Sequence, residues 1–299
     1  FNGQISVGHG ALYGTGSYAT IILMSRYGWH PILAIVGAAV ITFVVGVAIG
    51  LPALRIKGLY LALVTLAVAV LFPLMIEQFP DLTGGSGGLT YTEQVQNRRG
   101  GIIDRQVEFS SPVGFLDSAQ WRYFAFLGVA VLVFLLTRNL VNSRTGRAII
   151  AVRDNELAAE VQGIPVARVK ILVFGLSSAM AGIGGALLAI NLSAARPTSF
   201  TLLASIYFLV VVVVGGAASV IGPAIGVVVY GVTTEILQPY LPDAVKPATP
   251  IMLGALLILL MFFAPGGIVG LYKTTRAKRA VRRMDVSSAP APAAGPAPL

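Results

Sequence analysis

The chain has 299 residues, of which 56% are hydrophobic and only 11% charged, and its mean hydropathy is +0.83. Soluble domains carry roughly 25% charged residues, so a water-soluble fold is excluded and the sequence reads as an integral membrane protein. The net charge of +9 would point to nucleic acid in a soluble protein. Here the Lys and Arg residues lie between apolar stretches rather than on one face, as topology demands, so no nucleic-acid partner is expected. The chain has no cysteine, which excludes disulfides, thiolate catalysis and Cys-ligated metals. His9 and His30 are the only histidines, so a His-based metal cluster is not expected; no cofactor and no catalytic residue is expected either.

A bilayer core about 30 Å thick takes about 20 apolar residues in a helix. Stretches free of Asp, Glu, Lys and Arg run over 1–25, 31–54, 58–76, 123–137, 171–195, 197–234 and 247–272. The short 123–137 stretch still counts as a span, because Trp121, Arg122 and Arg138 can anchor it at the two interfaces. The stretch 197–234 is too long for one helix and is interrupted by Gly215, Gly216, Gly222 and Pro223. It predicts two short spans or one re-entrant hairpin, whose irregular backbone needs protein or a water-filled cavity around it. The fold class is all-α, a polytopic helical domain over 1–272 with about 7–8 spans or re-entrant segments. The sequence opens at Phe1 without a signal-like charged region, and further spans are expected upstream.

Charge sets the orientation. Residues 138–170 carry Arg138, Arg144, Arg147, Arg153, Arg168 and Lys170 against three acids, and 273–283 carries six more cations with no acid. Both segments belong in the cytoplasm together with Arg55 and Lys57, which leaves 77–122 outside. Residues 273–299 form a basic, then Ala/Pro-rich tail with nothing to bury, and a disordered cytoplasmic tail is expected.

The opening run GQISVGHGALYGTGSYATIIL places Gln4, Ser6, His9, Thr15, Ser17 and Tyr18 in apolar surroundings. Such a run suits either close helix packing through Gly10 and Gly14 or a broken helix whose free amides face a cavity. Polar groups at that depth make Gln4, Ser6, His9, Thr15 and Tyr18 candidates for a substrate path, with the broken 215–223 segment and its Gly215 and Gly216 opposite. External Thr83, Gly84, Gly85 and Ser86, in TGGSGGL, form either a nest for a small anion or carboxylate or a flexible loop. No phosphate loop occurs, so the chain is not expected to hydrolyse ATP.

In Ser143 to Lys170, Asp154 or Asn155 can cap a short helix from about Glu156 to Gln162, with Gly163 at its C′ position and Pro165 barring continuation. Leu157, Ala158 and Val161 give it a small apolar face. It suits either docking into a partner's groove or lying on the membrane as an amphipathic connector. The run SSAMAGIGGA, 177–186, spaces small residues by four and predicts close helix packing. Glu77 and Glu235 are read as helix ends at the interface.

The blocks GQISVGHGALYGTGSYAT, LPALRIKGLYLALVTLA, TGGSGGL, GRAIIAVRDNELAAEVQGIPVARVKILVF and VVVVGGAASVIGPAIG, in this order, resemble the branched-chain amino acid ABC transporter permeases of the LivM type, in the LivH/LivM family of inner-membrane permeases. The resemblance covers Gly3 to Gly270. It implies an all-helical permease in a bacterial plasma membrane that pairs with a second, homologous permease. Two cytoplasmic ATP-binding subunits would drive it, and an external substrate-binding protein would deliver leucine, isoleucine or valine. It also implies an ATPase-coupling helix spanning Arg153, Asp154, Asn155, Glu156, Leu157, Ala158, Ala159, Glu160 and Gly163. Ala158, Ala159 and Gly163 match the family's loose Glu-Ala-Ala…Gly motif, while Leu157 takes the place of its acid and Glu156 and Glu160 are the adjacent acids. Gly87 stands where the family more often has Asn. A permease for urea or short-chain amides would look nearly the same. An ion-coupled secondary carrier would show acids or histidine clearly inside the spans, and that pattern is missing.

Overall fold

The computed structural model describes residues 1–4, 6–53, 59–96, 102–106, 117–217, 219–237, 240, 254 and 266–271. Arg55, Lys57, most of the expected 247–272 span and the whole 273–299 tail lie outside the described residues. The chain divides into two compact units, Phe1–Leu209 and Val210–Leu299.

The first unit contains helices α1 (His9–Tyr27), α2 (Pro31–Ala53), α3 (Leu59–Glu77), α4 (Pro80–Thr83), α5 (Ser118–Asn142), α6 (Arg144–Asp154), α7 (Glu156–Val161) and α8 (Val166–Leu192). Helix α9 (Leu202–Gly215) begins in it. Among the described residues, five helices are long and apolar enough to cross a membrane: Pro31–Pro52, Tyr60–Glu77, Ser118–Asn142, Val166–Leu192 and Pro197–Gly215, the last including a 3₁₀ turn. The more polar α1 has their length but is largely enclosed by its neighbours.

The 1–25 stretch is not one continuous span, which corrects the reading of its first residues. The described residues before His9 are irregular: Gly3 has φ +70°, and the Gly8 backbone lies so close to the Thr65 carbonyl that a Cβ would approach it to 2.7 Å. The amides of Val7 and Gly8 donate to the hydroxyls of Thr65 (3.0 Å) and Ser6 (3.3 Å) instead of to a helical carbonyl. Gln4 and Ser6 therefore lie before α1, outside any helix.

The core is a sandwich of α1, α2 and α8. Along α2, Ala34, Ala38, Thr42, Gly46 and Gly50 recur every four residues. Running backwards along α8, they face Ile190, Ala186, Gly182, Ser178 and Phe174. The constant spacing makes α2 and α8 antiparallel neighbours in a fixed register, while α1 runs parallel to α8, placing Ala19 beside Ala186 and Met24 beside Ile190. Lipid tails are as apolar as leucine, so side-chain burial alone does not drive this association; close van der Waals approach does. Gly16 meets the Gly182 backbone, and a Cβ on Gly182 would collide with the Thr42 side chain. The Thr20, Thr42 and Ser178 hydroxyls are fully buried and donate to carbonyls of their own helices. By contrast α5 buries no residue, and one wall of it faces an apolar cleft of about 630 Å³ against α2 and α8.

Beyond α3 the loop 83–89 folds tightly. Thr83 Oγ1 donates to the Ile76 carbonyl (2.6 Å), with the Phe79 carbonyl also in reach at 2.8 Å, and it accepts from the Gly85 amide. The Gly84 and Gly88 amides donate to Pro80 and Gly85 carbonyls. The loop then pairs strand β1 (Leu89–Thr90) with β4 (Ala194–Ala195) at the end of α8. A hairpin of β2 (Thr92–Gln96) and β3 (Ile102–Gln106) follows. The glycines are thus used for turns, and the amides of Gly84, Gly85 and Gly88 are already bonded within the chain.

In the second unit the chain breaks where glycine interrupts the apolar run. Gly216 has φ +119°, outside the range a side chain readily adopts. Gly215 packs on the Gly222 backbone, and Pro223 lies in the first turn of α10 (Gly222–Gly231), where its missing N–H costs nothing. A π-helical turn, Val232–Leu237, follows.

Candidate functional site

The 143–170 segment is built from its end caps. Ser143 caps α6 by accepting from the Gly146 amide at 3.2 Å, and Asn155 caps α7 by accepting from the Ala158 amide at 3.0 Å. Between the two helices Asn155 is extended, at φ −160° and ψ 110°. Of the two candidate caps, Asn155 is therefore the one used. Arg153 and Asp154 belong to the last turn of α6 rather than to the short helix, which corrects the expected single element: two capped helices meet at Asn155. Arg153 and Asp154 pair with each other at 2.8 Å on the surface.

At its other end α7 closes with a Schellman turn. The Ile164 amide donates to the Ala159 carbonyl (3.0 Å) and the Gly163 amide to the Glu160 carbonyl (2.9 Å), with Gly163 at φ +80°. Pro165 then opens α8. The helix presents two unlike faces. Ala159 is 2% exposed and packs inward, whereas Leu157 and Val161 are 73% and 88% exposed; Ala158, Glu160 and Gly163 are exposed as well. Glu156 turns to α8, where Lys170 Nζ donates to its Oε1 at 2.5 Å.

The candidate path residues separate into two groups. Ser6 and His9 lie together, with Ser6 Oγ 3.0 Å from His9 Nδ1 and His9 Nε2 3.4 Å from Ser177 Oγ. Ser177 also donates to the Phe174 carbonyl. The His9 ring thus ties the lead segment and α1 to α8. The start of α1 is capped by other helices, since the Gly10 amide donates to the buried Ser205 hydroxyl of α9 at 3.0 Å.

Further along α1, Thr15 and Tyr18 share a cleft of about 540 Å³ with Phe72, Ile76, Leu82 and Thr83. Thr15 donates to the Ala11 carbonyl. The Tyr18 ring is 3% exposed and packs edge-on against Phe72 and Phe200; its hydroxyl and that of Ser17 are buried with no hydrogen-bond partner among the described residues. This cleft brings two path residues and the loop residue Thr83 together. Gly84 and Gly85 are committed to turns, Ser86 is exposed, and Gly215 and Gly216 belong to the second unit.

Sequence reasoning missed Ser177, Thr65, Ser205 and Lys170. Ser177 stood in a run read only as packing, and the other three sit in separate helices with no local signal. Among the described residues no group of three or more His, Asp or Glu side chains is placed to hold a metal ion.

The profile of the family described as "Branched-chain amino acid transport system / permease component" matches residues 1–264. The high-affinity branched-chain amino acid transport system permease protein LivM of Salmonella typhimurium is 28% identical over 282 residues, covering 90% of this chain and 64% of that protein. LivH of Escherichia coli is 27% identical, covering 90% of this chain and 86% of that protein. A probable LivM of Methanocaldococcus jannaschii is 26% identical over 88% of this chain and 77% of its own length. The chain thus spans about two thirds of the enterobacterial LivM, 64% by alignment. No solved structure matches the chain at a significant level.

Proposed function

Because the chain belongs to the family of branched-chain amino acid transport permease components, we propose that it is the membrane-spanning subunit of an ATP-driven importer of leucine, isoleucine and valine. Its seat is the bacterial plasma membrane, and 1–272 forms the permease, with 138–170 as the cytoplasmic coupling loop and 273–299 as the tail. It is not itself an enzyme. Two ATP-binding subunits hydrolyse ATP, a second permease completes the path and an external binding protein delivers substrate. The LivM and LivH names of its relatives favour this reading over a urea or amide permease.

The observation that carries the reading is α7. A six-residue helix is too short to persist by itself, yet this one is capped at both ends and turns Leu157, Ala158 and Val161 outward. That is the form of a docking element, moved as a rigid piece by the ATPases so that the spans alternate between outward and inward openings. The substrate passes Ser6 and His9 on one level of α1 and Thr15, Tyr18 and Thr83 on another, with Gln4 beside the lead segment.

Vesicles reconstituted with both permeases, the ATPases and the binding protein test this directly. Expected is ATP-dependent uptake of labelled leucine, and a raised KM when Ser6 and His9 are both changed to alanine. Uptake without ATP, or transport of urea in place of leucine, would overturn it.

A further inference from the structure

The connection between α7 and α8 is a backbone turn whose pivot is Gly163, with φ +80° and no heavy atom within 4 Å of where a Cβ would stand. A short helix held only by such a turn can swing about it, and a swinging lever transmits no force. Its other end, however, is also tied. Glu156, the first residue of α7, receives Lys170 Nζ at 2.5 Å, across 14 residues of sequence.

Lys170 is an improbable place for a cation without such a tie. Its side chain is 11% exposed, and it sits near the start of α8, where the helix dipole opposes positive charge. A buried ammonium without a partner is strongly destabilising. The Arg153–Asp154 pair nearby is exposed on both sides, at 36% and 61%, and pairs of that kind contribute little. One turn beyond Lys170 stands Phe174, which touches the His9 ring and Gly50, and then Ser177 and Ser178, which face α1 and α2.

We propose that the Glu156–Lys170 ion pair is a strut that fixes α7 to α8 at a second point, so that the two helices move as one body. A displacement of α7 then enters the α1, α2 and α8 core through Lys170 and Phe174. The proposal rests on the reading of α7 as the element the ATPases move, and it makes Glu156 and Lys170 positioning residues for transport. It also assigns the acids: Glu156 is engaged within the chain, and Glu160 is the exposed acid offered to a partner.

The test uses the complete reconstituted transporter, with uptake and ATP hydrolysis measured in the same vesicles at equal amounts of assembled complex. Glu156→Gln and Lys170→Met should each lower the number of leucine molecules moved per ATP by about tenfold while hydrolysis continues. The exchanged pair, Glu156→Lys with Lys170→Glu, should recover the ratio to within about threefold, as a direct pairwise coupling requires. If both single changes keep the wild-type ratio while Leu157→Asp abolishes uptake, the strut is wrong and the docking role of α7 stands. If Leu157→Asp also transports normally, the premise falls and the strut with it. Singles that only reduce the amount of complex, with no recovery in the exchanged pair, reduce the ion pair to a folding contact and overturn the proposal.

Discussion

Ala38 and Thr42 on α2 and Ala186 and Ser178 on α8 have no exposed surface at all, whereas Leu157 and Val161 on α7 are 73% and 88% exposed. Both sets are small or apolar. In the first, the side chains are packed entirely within their own chain along the α2–α8 register. In the second, the backbone is held by Asn155, the Schellman turn and Lys170, and the apolar side chains serve none of these contacts. The difference separates residues that make the fold from residues the fold makes available, and it can be tested in descending order of effect.

Gly182→Leu should be the most damaging change. Its side chain would occupy the place of Thr42, at a cost of about 3 kcal/mol or more, and size-exclusion chromatography of solubilised protein should show loss of the monodisperse species. A monodisperse, thermally normal variant would mean that the seam is looser than its register implies. Leu157→Asp combined with Val161→Asp should do the reverse. Leucine uptake falls by about tenfold or more, while Tm reflects a change within about 0.5 kcal/mol, as for surface sites; a collapse of Tm would erase the distinction between the two regions.

Smaller effects belong to the caps. Asn155→Ala should cost about 1 kcal/mol, seen as faster hydrogen exchange of the amides over 156–164, and Gly163→Ala a further 1–2 kcal/mol, roughly, for the left-handed backbone. Unchanged exchange in both variants would show that α7 is held by its tertiary contacts alone. Smallest is Ser177→Ala, which removes the hydroxyl partner of His9 Nε2. Polar contacts between membrane helices average about 0.6 kcal/mol, so Tm should drop only slightly.

How far the sequence anticipated this depends on whether a signal is local. Asn155, Gly163 and Pro165 act within four residues of the helix they bound, and the short helix was legible from them. The break at Gly215, Gly216, Gly222 and Pro223 was legible for the same reason. Asp154 against Asn155 was not, because either side chain can cap, and only the extended backbone at Asn155 decides. The four-residue spacing of Ser178, Gly182 and Ala186 announced close packing, but nothing in it named Thr42 or Gly46 as the partners. The loop 83–89 left its form open, because glycine has the same look in a mobile loop, an anion nest and a tight turn; the Thr83 hydroxyl reaching back to Ile76 had no local signal.

The way α1 is capped has a bearing on biogenesis. The first turn of α1 leans on Ser177 and Ser205, which follow it by 168 and 195 residues, and glycine at its N-cap offers no side chain of its own. During synthesis α1 therefore emerges long before the groups that satisfy it. It is one of the earliest of these helices to be translated, and its first turn gains these partners only once α8 and α9 are made. A ribosome-bound chain halted before residue 166 should leave α1 open to a water-soluble thiol reagent at an engineered Ser17→Cys, and release of the full chain should close it.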